Sequence, residues 1–582
     1  MARAYLTIED FKAGLDSRRL EVAAAAGSLQ VFQNGHINRG GEIEKAKAWA
    51  TAYTLPAGTF GLGAVNGSLY VFGSGSTPGG IPAGVTYMQL ANPDASAMTG
   101  VVAVETFSGR IYAVAEYADT TVHHFYNGTI VADWYNGLVR ASQGDLTAVA
   151  LALANEIDAD ADVTASSVGA VITVTGAVVD DNYAITVSKE DGGSFNDETI
   201  TLLETQASGG GNAEINTITL GGTFDPGDKF TVTIENNTYG AIGVTGEEAS
   251  VVITHKNKIY AGSGVNLFFS AIATPSQWKN NTVAGVVNAG AGSIDMSAQA
   301  SNDEDITGIG IYQNNLAIFT RNSTQVWSMD ADPDANVQLQ VLDNIGTRSP
   351  RTVKKFGDLD LFLLADSGIR SLRSRDSSNS ATVTDVGTPI DDLIITAMDG
   401  LTDDQITSAV AEIEPRDGRY IMSLAAVQYV FSYFPASKIS AWSTYVPGVT
   451  MSDFTTLNGR LYGRAGDVIY LLGGADNDEY TTEDVIVELP YLDARSIATW
   501  KRWVGIDLIL KGRWSVYVNS NPNQPDEWVL TAVAYQTSIG QMNLAMQQHS
   551  PVLKFKFVHS GDADEEAKIS KIIVHYETKW AG

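Results

Sequence analysis

The sequence predicts a mainly β protein: a β-propeller of about six or seven blades with an inserted small α+β domain and a C-terminal β-sandwich-like domain. Three observations predict this fold. One strand-turn-strand phrase recurs along the chain, it returns at a nearly constant spacing, and the one long interruption has a different pattern. Turn-punctuated strand pairs with a period of roughly 40 to 50 residues are typical of propeller blades.

The recurring phrase is a turn with Gly, Asn or Asp, followed by an apolar strand start that usually holds Tyr or Phe. These residue types favour turns, and the apolar run that follows favours a strand. The copies are Asn66–Tyr70, Ser108–Tyr112, Lys256–Tyr260, Gln313–Ala317, Gly357–Phe362, Asp417–Ile421 and Asn458–Tyr462.

The spacing between copies supports a repeat. Equivalent strand residues lie about 41 to 45 residues apart in the pairs Leu69 and Ile111, Leu316 and Leu361, and Tyr420 and Leu461. Ile111 and Ile259 are much farther apart, but excising residues 141–245 restores the period. Two other gaps need only longer loops, which cost little because loop-closure entropy grows slowly with length.

The chain therefore divides into five predicted parts. Residues 1–54 form an extended lead-in that packs on the propeller, 55–140 and 246–474 are the two parts of the propeller, 141–245 are the inserted module, and 485–582 are the C-terminal β domain. Residues 475–484 are acidic and polar, and we interpret them as a linker. Whether Tyr5–Ile8 closes the propeller by pairing with its last blade is left open by the sequence.

The inserted module opens with the clearest helical pattern in the chain. Leu146, Val149, Leu153 and Ile157 recur at helical spacing, and Asp145 is the expected N-cap. Strand patterns follow over 170–176, 183–188 and 230–234, the last a strict alternation. These patterns predict a compact α+β module.

Composition excludes several classes of function. The formal charge of -30 opposes tight binding to nucleic acid, since phosphate neutralisation requires an excess of Lys and Arg. Acidic residues keep a large protein soluble, and they also suit a channel wall that lets DNA pass without adhering. There is no Cys, which excludes disulfides and thiolate metal sites. No apolar run reaches the roughly 18 residues needed to cross a bilayer, and none follows Met1, so we expect a soluble chain without a leader.

We predict no catalytic, cofactor-binding or metal-binding residues, and no cofactor. The Gly61-Leu62-Gly63 stretch has the wrong spacing for a dinucleotide loop and is interpreted as a turn. The acidic runs 158–162 and 330–334 do not match a calcium-binding loop and are interpreted as solvated loops.

Two further clusters have a structural interpretation. His123 and His124 lie in a strand-like run, which sends their rings to opposite faces and disfavours joint metal ligation.

The second cluster could form a single-strand-binding surface. It consists of Trp500, Lys501, Arg502 and Trp503, with Lys511, Arg513 and Trp514. In a strand, however, half of this cluster faces the core and half the surface, and we prefer that interpretation.

Several segments together resemble the tail nozzle proteins of short-tailed bacteriophages, which are β-propeller subunits of the lower tail tube. The lead-in contributes 14–18, 33–37 and 40–45, and the second part of the propeller contributes 267–270 with Trp278, 308–319, 323–327 and 344–350. The most specific stretch is Ser349 to Asp391, with Asp366-Ser367-Gly368-Ile369-Arg370 and Asp385-Val386-Gly387 before Pro389-Ile390-Asp391. Ala46 stands where the family pattern has a basic residue.

The resemblance implies a virion protein that is made in the bacterial cytoplasm and has no enzymatic activity. It implies a homohexameric ring below the portal-adaptor ring, with tail fibres or spikes at its flank. The ring would close the DNA path and then conduct double-stranded DNA at ejection without sequence-specific binding. The alternatives are a propeller-based glycan-degrading enzyme and a receptor-binding tail protein, since a propeller fold alone supports many functions.

Overall fold

The computed structural model describes residues 2–90, 97–118, 122–131, 139–142, 146–158, 160, 162–190, 197–224, 228–235, 237–244, 249, 251–278, 282–283, 286–287, 290–297, 304–357, 360–374, 381–538, 544–561 and 565–578. Of these residues, 54% are in strands and 8% in helices, so the protein is mainly β. The chain forms two compact units, residues 56–346 and residues 1–55 with 347–582.

The unit of residues 56–346 contains four small sheets of the repeat, here numbered 1 to 4. Sheet 1 comprises Phe60–Val65, Ser68–Gly73 and Val85–Gln89. Sheet 2 comprises Met98–Phe107, Arg110–Tyr117, Val122–Tyr126 and Thr129–Ile130. Sheet 3 comprises Val251–His255, Lys258–Ser263, Asn266–Phe269 and Gly292–Asp295. Sheet 4 comprises Gly308–Tyr312, Asn315–Phe319, Ser323–Ser328 and Val337–Asp343. Thr282–Val283 and Val286–Val287 form a short hairpin, and Pro333–Ala335 is a 3-10 turn.

Sheets 2, 3 and 4 are four-stranded antiparallel sheets, as the repeat predicts. Sheet 1 differs, because it has three described strands and Ser68–Gly73 pairs with Val85–Gln89 in parallel. The Gly61-Leu62-Gly63 stretch, expected to be a turn, lies inside strand Phe60–Val65. Gly61 has φ +59° where the pairing shifts register, so this stretch is a β-bulge and not a turn.

The recurring phrase forms the hairpin turns of these sheets. Both turn residues have positive φ in Asn66-Gly67, Ser108-Gly109, Lys256-Asn257, Gln313-Asn314 and, in the other unit, Asn458-Gly459. A two-residue turn with two left-handed residues matches the right-handed twist of the paired strands. The turn chemistry read from the sequence is therefore confirmed at these copies.

Consecutive sheets within this unit share hydrophobic cores. Phe72 of sheet 1 packs with Ile111 of sheet 2, Tyr112 of sheet 2 with Ile259 of sheet 3, and Phe269 of sheet 3 with Leu316 of sheet 4, each in one continuous cluster. Each sheet therefore buries apolar side chains against its neighbour in sequence.

The insertion has its own core. Helix Leu146–Asp158 buries Val149, Leu153 and Ile157, so the predicted helical face is confirmed, while the proposed Asp145 cap lies outside the described residues. Two four-stranded sheets accompany the helix. One comprises Val139–Ser142, Asn237–Val244, Lys229–Ile234 and Ile185–Glu190, and the other Val163–Val168, Val171–Gly176, Ile215–Gly221 and Thr199–Gln206. Val139 to Val244 closely follows the expected 141–245.

The second unit contains the other sheets of the repeat. Sheet 5 comprises Lys354–Phe356, Asp360–Ala365, Gly368–Ser374 and Ala381–Thr384. The strands of sheet 6 are Val410–Glu414, Arg419–Leu424, Val427–Phe434 and Ile439–Tyr445. Sheet 7 comprises Asp453–Leu457, Arg460–Ala465, Val468–Leu472 and Trp49–Thr54. Helices Asp391–Asp399 and Asp403–Thr407 and the 3-10 turns Pro350–Thr352, Thr388–Ile390 and Pro435–Ser437 lie between strands.

Sheet 6 continues into the C-terminal part of the chain. Its last strand pairs with Val31–Gln33, and the nine-stranded sheet then runs through Val485–Glu488, Lys554–His559, Trp514–Asn519 and Val529–Ala534. A six-stranded sheet contains Gly35–Ile37, Ile43–Lys45, Lys568–Thr578, Lys501–Lys511, Leu544–Ser550 and Ala2–Ile8.

The pairing of the lead-in settles the point that the sequence leaves open. Ala2–Ile8 pairs antiparallel with Lys568–Thr578 of the C-terminal part, so this strand does not join the last sheet of the repeat. Trp49–Thr54 takes that place by pairing with Val468–Leu472. The lead-in is extended as predicted, but its strands pair with C-terminal strands as well as with sheets 6 and 7.

The C-terminal part does not have a separate core. One cluster joins Phe11 and Phe32 of the lead-in, Phe431 of sheet 6, and Trp503 and Phe557 of the C-terminal strands. The linker expected at 475–484 is also packed, since Tyr480 and Thr481 are buried and the Thr481 amide donates to the Ala46 carbonyl. Two residues of this segment therefore pack against the lead-in, while most of the others are exposed.

Candidate functional site

Within the unit formed by residues 1–55 and 347–582, three of the segments that carry the resemblance lie next to one another around Arg370: 14–18, 366–370 and 385–391. The resembling segments 267–270, 308–319 and 323–327 belong to the other unit. We call the group of Arg370, Asp385, Asp391, Asp16 and Arg18 the Arg370 cluster. It lies where sheet 5, helix Asp391–Asp399 and the lead-in come together.

Arg370 is the centre of this cluster. Its side chain is buried, and its guanidinium contacts both carboxylate oxygens of Asp391, at 2.8 and 3.2 Å. It also lies 3.3 Å from Asp385 and donates to the carbonyl oxygens of Ile369, at 3.0 Å, and Ser367. The planar fork of arginine suits this bidentate geometry, and its donors are satisfied on several sides.

The lead-in adds a second arginine–carboxylate pair. Arg18 contacts the two carboxylate oxygens of Asp16 at 3.0 and 3.1 Å. Burial of Asp16 opposes its ionisation, but its hydrogen bond to Arg18 and the Arg18 charge outweigh burial and lower the pKa of Asp16. The pKa of Arg18 is raised, first by the hydrogen bond to Asp16 and also by the charge of Asp391. The two pairs therefore act on each other electrostatically.

Backbone contacts fix the lead-in against this cluster. The Ser17 amide donates to the Pro389 carbonyl at 2.9 Å, and the Leu15 amide donates to the Trp442 carbonyl at 2.8 Å. Gly14 has φ +61°, and a Cβ at this position would lie 2.8 Å from the Trp442 nitrogen and carbonyl oxygen. Glycine is therefore required where the lead-in crosses sheet 6.

Glycine is also required within the Asp385–Asp391 segment. A Cβ on Gly387 would meet the carbonyl oxygen of Ile369 and lie 3.0 Å from the Ile369 Cβ. The Gly387 amide donates to the same carbonyl at 3.0 Å. This close approach brings Asp385 and Asp391 to Arg370 from the two ends of one short turn.

Buried hydroxyl groups hold the segment of residues 347–352. Ser349 is fully buried and its Oγ donates to the Ile406 carbonyl at 2.6 Å, while Thr347 Oγ1 donates to the Leu364 carbonyl at 2.6 Å. Thr352 Oγ1 donates to the Ser349 carbonyl and accepts from the Leu364 amide. These bonds give the buried hydroxyl groups of this irregular segment their partners.

Two further arginines extend the ionic contacts to the surface. Arg348 contacts Asp366 at 3.0 Å and Asp403 at 2.6 Å. Arg351 contacts Asp453 at 3.1 Å and donates to the Ser408 carbonyl. These pairs tie sheet 5, helix Asp403–Thr407 and sheet 7 together. Asp385 and Asp403 lie at the protein surface. Their side chains are 71% and 79% exposed, so both carboxylates are available to a neighbouring molecule.

The ion pairs and hydrogen bonds of the Arg370 cluster hold separate chain segments together. Arginine does not lose its proton in proteins, and both carboxylate oxygens of Asp391 and of Asp16 are bound by arginine side chains. The Arg370 cluster can therefore hold segments together and present charge. Among the described residues, no group of three or more His, Cys, Asp or Glu side chains is placed to hold a metal ion.

The two histidines singled out by the sequence lie on opposite faces of strand Val122–Tyr126. His124 is fully buried, with Nδ1 2.9 Å from the Tyr112 hydroxyl and Nε2 3.1 Å from the Ala249 carbonyl. The His123 ring instead packs edge-on against Tyr117. The prediction that the rings point to opposite faces is confirmed.

The tryptophan-rich cluster divides between core and surface, as the strand interpretation predicts. Trp503 and Trp514 are fully buried, whereas Trp500 is 58% exposed. Lys501 is buried and donates to the carbonyl oxygens of Ser496, Thr499 and Pro551. These contacts make a continuous base-stacking surface impossible at this cluster.

The acidic runs use their carboxylates locally. Asp332 accepts from the Asp334 amide and Asp330 accepts from the Asp332 amide, both at 3.1 Å. In the other run, Asp160 accepts from the Tyr239 hydroxyl and from Asn237. The run 330–334 is a turn, and Asp160 fastens the insertion's helix end to strand Asn237–Val244.

Sequence reasoning identified the segments of the Arg370 cluster only through resemblance and assigned no role to Arg370, Asp385 or Asp391. Their pairing joins residues about 20 positions apart across a helix start, and no local periodicity reports it. One signal in the sequence could have indicated the pair. It is an isolated arginine in a strand, opposite two aspartates near a Pro-Ile-Asp helix start.

Comparisons with known proteins found no matching family model and no matching curated protein. Similar solved structures include an exo-β-1,3-galactanase from Phanerochaete chrysosporium, in crystals with β-1,3-galactotriose and with galactose. The two matches have 11% and 12% sequence identity and TM-scores of 0.21 and 0.20, and each covers 56% of this chain and 94% of the other. This likeness is too slight to indicate fold or function. No helix among the described residues has the length and apolar character to span a membrane.

Proposed function

We propose that this chain is a structural subunit of the tail nozzle of a short-tailed bacteriophage. In this proposal, six copies form a ring below the portal-adaptor ring, and tail fibres or spikes attach at its flank. The ring closes the DNA path before infection and conducts DNA at ejection, without catalysis. The repeated sheets are proposed to be blades of a propeller of about six or seven blades.

The observation that supports the proposal most directly is the contact between two of the segments that resemble nozzle proteins. Lead-in residues 14–18 and the most specific stretch, 349–391, meet in one network of hydrogen bonds and ion pairs around Arg370. The two segments therefore form one structural feature of this unit, which supports treating them as one motif.

The physical mechanism follows from symmetry and charge. A ring of identical subunits uses two different, complementary side surfaces on each copy, so that every contact is heterologous and the rotation closes. The net charge of -30 per chain gives a strongly negative wall, which repels phosphate and keeps DNA mobile in the bore.

Negative-stain electron microscopy of the purified protein, alone and mixed with its neighbouring tail proteins, tests the proposal. We expect rings with a central opening, at least in the mixture. Dispersed monomers under both conditions, with no tube in the virion, would count against a nozzle.

A further inference from the structure

A groove lies at one end of sheets 5 and 6, in the same unit as the Arg370 cluster. It is about 780 Å³ in volume and is built from four turns that are distant in sequence: Gly357, Asp417-Gly418, the 3-10 turn Pro435–Ser437 and the lead-in turn at Arg39. Cavities of a few hundred to a thousand cubic ångströms with a few placed polar groups are typical of small-ligand sites.

Two aromatic rings form a corner in this groove. The centroids of Phe356 and Tyr433 are 5.9 Å apart and their planes are inclined at 61°. Each ring is held from behind: Phe356 stacks on Phe362 at 4.7 Å, and Tyr433 stacks on Phe431 at 5.9 Å. Phe362 and Phe431 are buried, so the corner keeps its shape without a ligand, which lowers the entropic cost of binding.

Polar groups also line the groove. Asp417 lies 2.8 Å from Arg419, which is buried, and 3.8 Å from Arg39. Arg39 lies over the Phe434 ring and donates to the Arg416 carbonyl. Asp360 adds a second carboxylate to the lining. The rim therefore offers hydrogen-bond acceptors and donors next to flat apolar faces.

The composition of the lining selects among ligand classes. With Arg39 beside Asp360 and Asp417, the lining has no excess of positive charge, which a phosphate or nucleotide site requires. A purely apolar ligand would remove water from the Arg39 and Asp417 side chains, which are 64% and 40% exposed, without offering them a hydrogen bond, which is costly. A saccharide has apolar C–H faces that stack on aromatic rings and hydroxyl groups that both donate to carboxylates and accept from guanidinium groups.

We propose that this groove binds a neutral oligosaccharide, with a sugar ring stacked in the corner of Phe356 and Tyr433 and its hydroxyls bonded to Asp417 and Arg39. Gly357 and Gly418, both at positive φ, have no atom within 4 Å of a Cβ position, so the mouth of the groove is open at the two turns. This inference concerns binding only and is independent of the proposed nozzle function.

Isothermal titration calorimetry of the full chain with maltotriose, chitotriose and a galactose trisaccharide tests the proposal. We expect saturable binding of at least one probe and a dissociation constant raised about tenfold or more by Tyr433→Ala, since one stacked ring contributes roughly that factor. Ala436→Trp, at an exposed position of the groove wall, should abolish binding by filling the groove while leaving the core unchanged. Tyr535→Ala, at a tyrosine that is 65% exposed outside the groove, is the matched control and should bind as the parent does.

Three results would overturn the inference. The first is the absence of saturable binding for all three probes. The second is binding that persists unchanged in both Tyr433→Ala and Ala436→Trp. The third is saturable binding of a proline-rich peptide that Ala436→Trp abolishes, when none of the saccharides binds, which would make the groove a peptide site.

Discussion

Replacing Arg370 by alanine should destabilise the unit of residues 1–55 and 347–582. Arg370 is 8% exposed and Asp391 has a side chain that is 19% exposed, so the change leaves a largely buried carboxylate without its partner. Removing one member of a buried pair costs about 3 to 5 kcal/mol. The Asp385 side chain is 71% exposed, so its pair adds less than about 1 kcal/mol. We therefore expect a loss of about 3 kcal/mol in the free energy of unfolding.

A double-mutant cycle separates the pair from its surroundings. Arg370→Ala, Asp391→Ala and the double variant should be compared by urea unfolding, with the transition of this unit followed separately because a two-unit chain need not unfold in one step. The coupling energy should be about 1.5 kcal/mol or more, since contacting charged groups are not additive. Additivity within about 0.5 kcal/mol would refute the reasoning that this pair braces the cluster.

Arg502→Ala is the matched control for that experiment. Arg502 lies 3.6 Å from Glu577, which is buried, but the Arg502 side chain is 50% exposed and Arg3 also contacts Glu577 at 3.1 Å. Because Arg3 keeps this carboxylate paired, losing the half-exposed Arg502 should cost about 0 to 1 kcal/mol. A loss from Arg502→Ala as large as that from Arg370→Ala would indicate that charge alone, and not the buried geometry, sets the effect.

Two further predictions follow from single buried positions. His255 is buried, and burial together with the charge of Lys256 lowers its pKa to about 4. In the unfolded chain the same side chain takes up a proton near pH 6.5. The contribution of His255 to stability should therefore be constant above pH 7 and decline by about 3 kcal/mol as the pH falls from 6.5 to 4. His255→Gln should lessen that decline in unfolding measured across this range, and an unchanged profile would contradict the assignment. Gly387→Ala should destabilise its unit by about 2 kcal/mol, because its Cβ meets the Ile369 carbonyl. Gly400→Ala is the control, because its Cβ has only ordinary contacts beyond 3.5 Å. Thermal unfolding of both variants should show that Gly400→Ala is neutral or stabilising.

Much of the local structure could be predicted from the sequence. Asn66-Gly67 and Asn458-Gly459 carry their turn type in their own residues, because few residues tolerate two successive left-handed conformations. The helical face of Leu146–Asp158 follows from the spacing of its apolar side chains. These features depend on neighbours a few residues away, which a sequence displays directly.

The long-range pairings could not be predicted. Ala2–Ile8 pairs with Lys568–Thr578 and Trp49–Thr54 with Val468–Leu472, and no local pattern in an apolar strand specifies its partner at such separation. The same holds for the candidate site: Arg370 and Asp391 meet through a turn whose shape depends on Gly387, and the groove is assembled from turns that only the fold brings together. Sequence reasoning also divided the C-terminal strands from sheet 6, whereas one core spans both.

The central claim, that this chain is a subunit of a DNA-conducting ring, is tested most directly by a cryo-electron microscopy reconstruction of the virion in which the insertion carries a labelled tag. The account predicts six copies around the DNA path below the portal-adaptor ring, with a central bore. A reconstruction that places the tag away from the tail axis with no bore between copies, or that finds no copy of the chain in the tail, would contradict it.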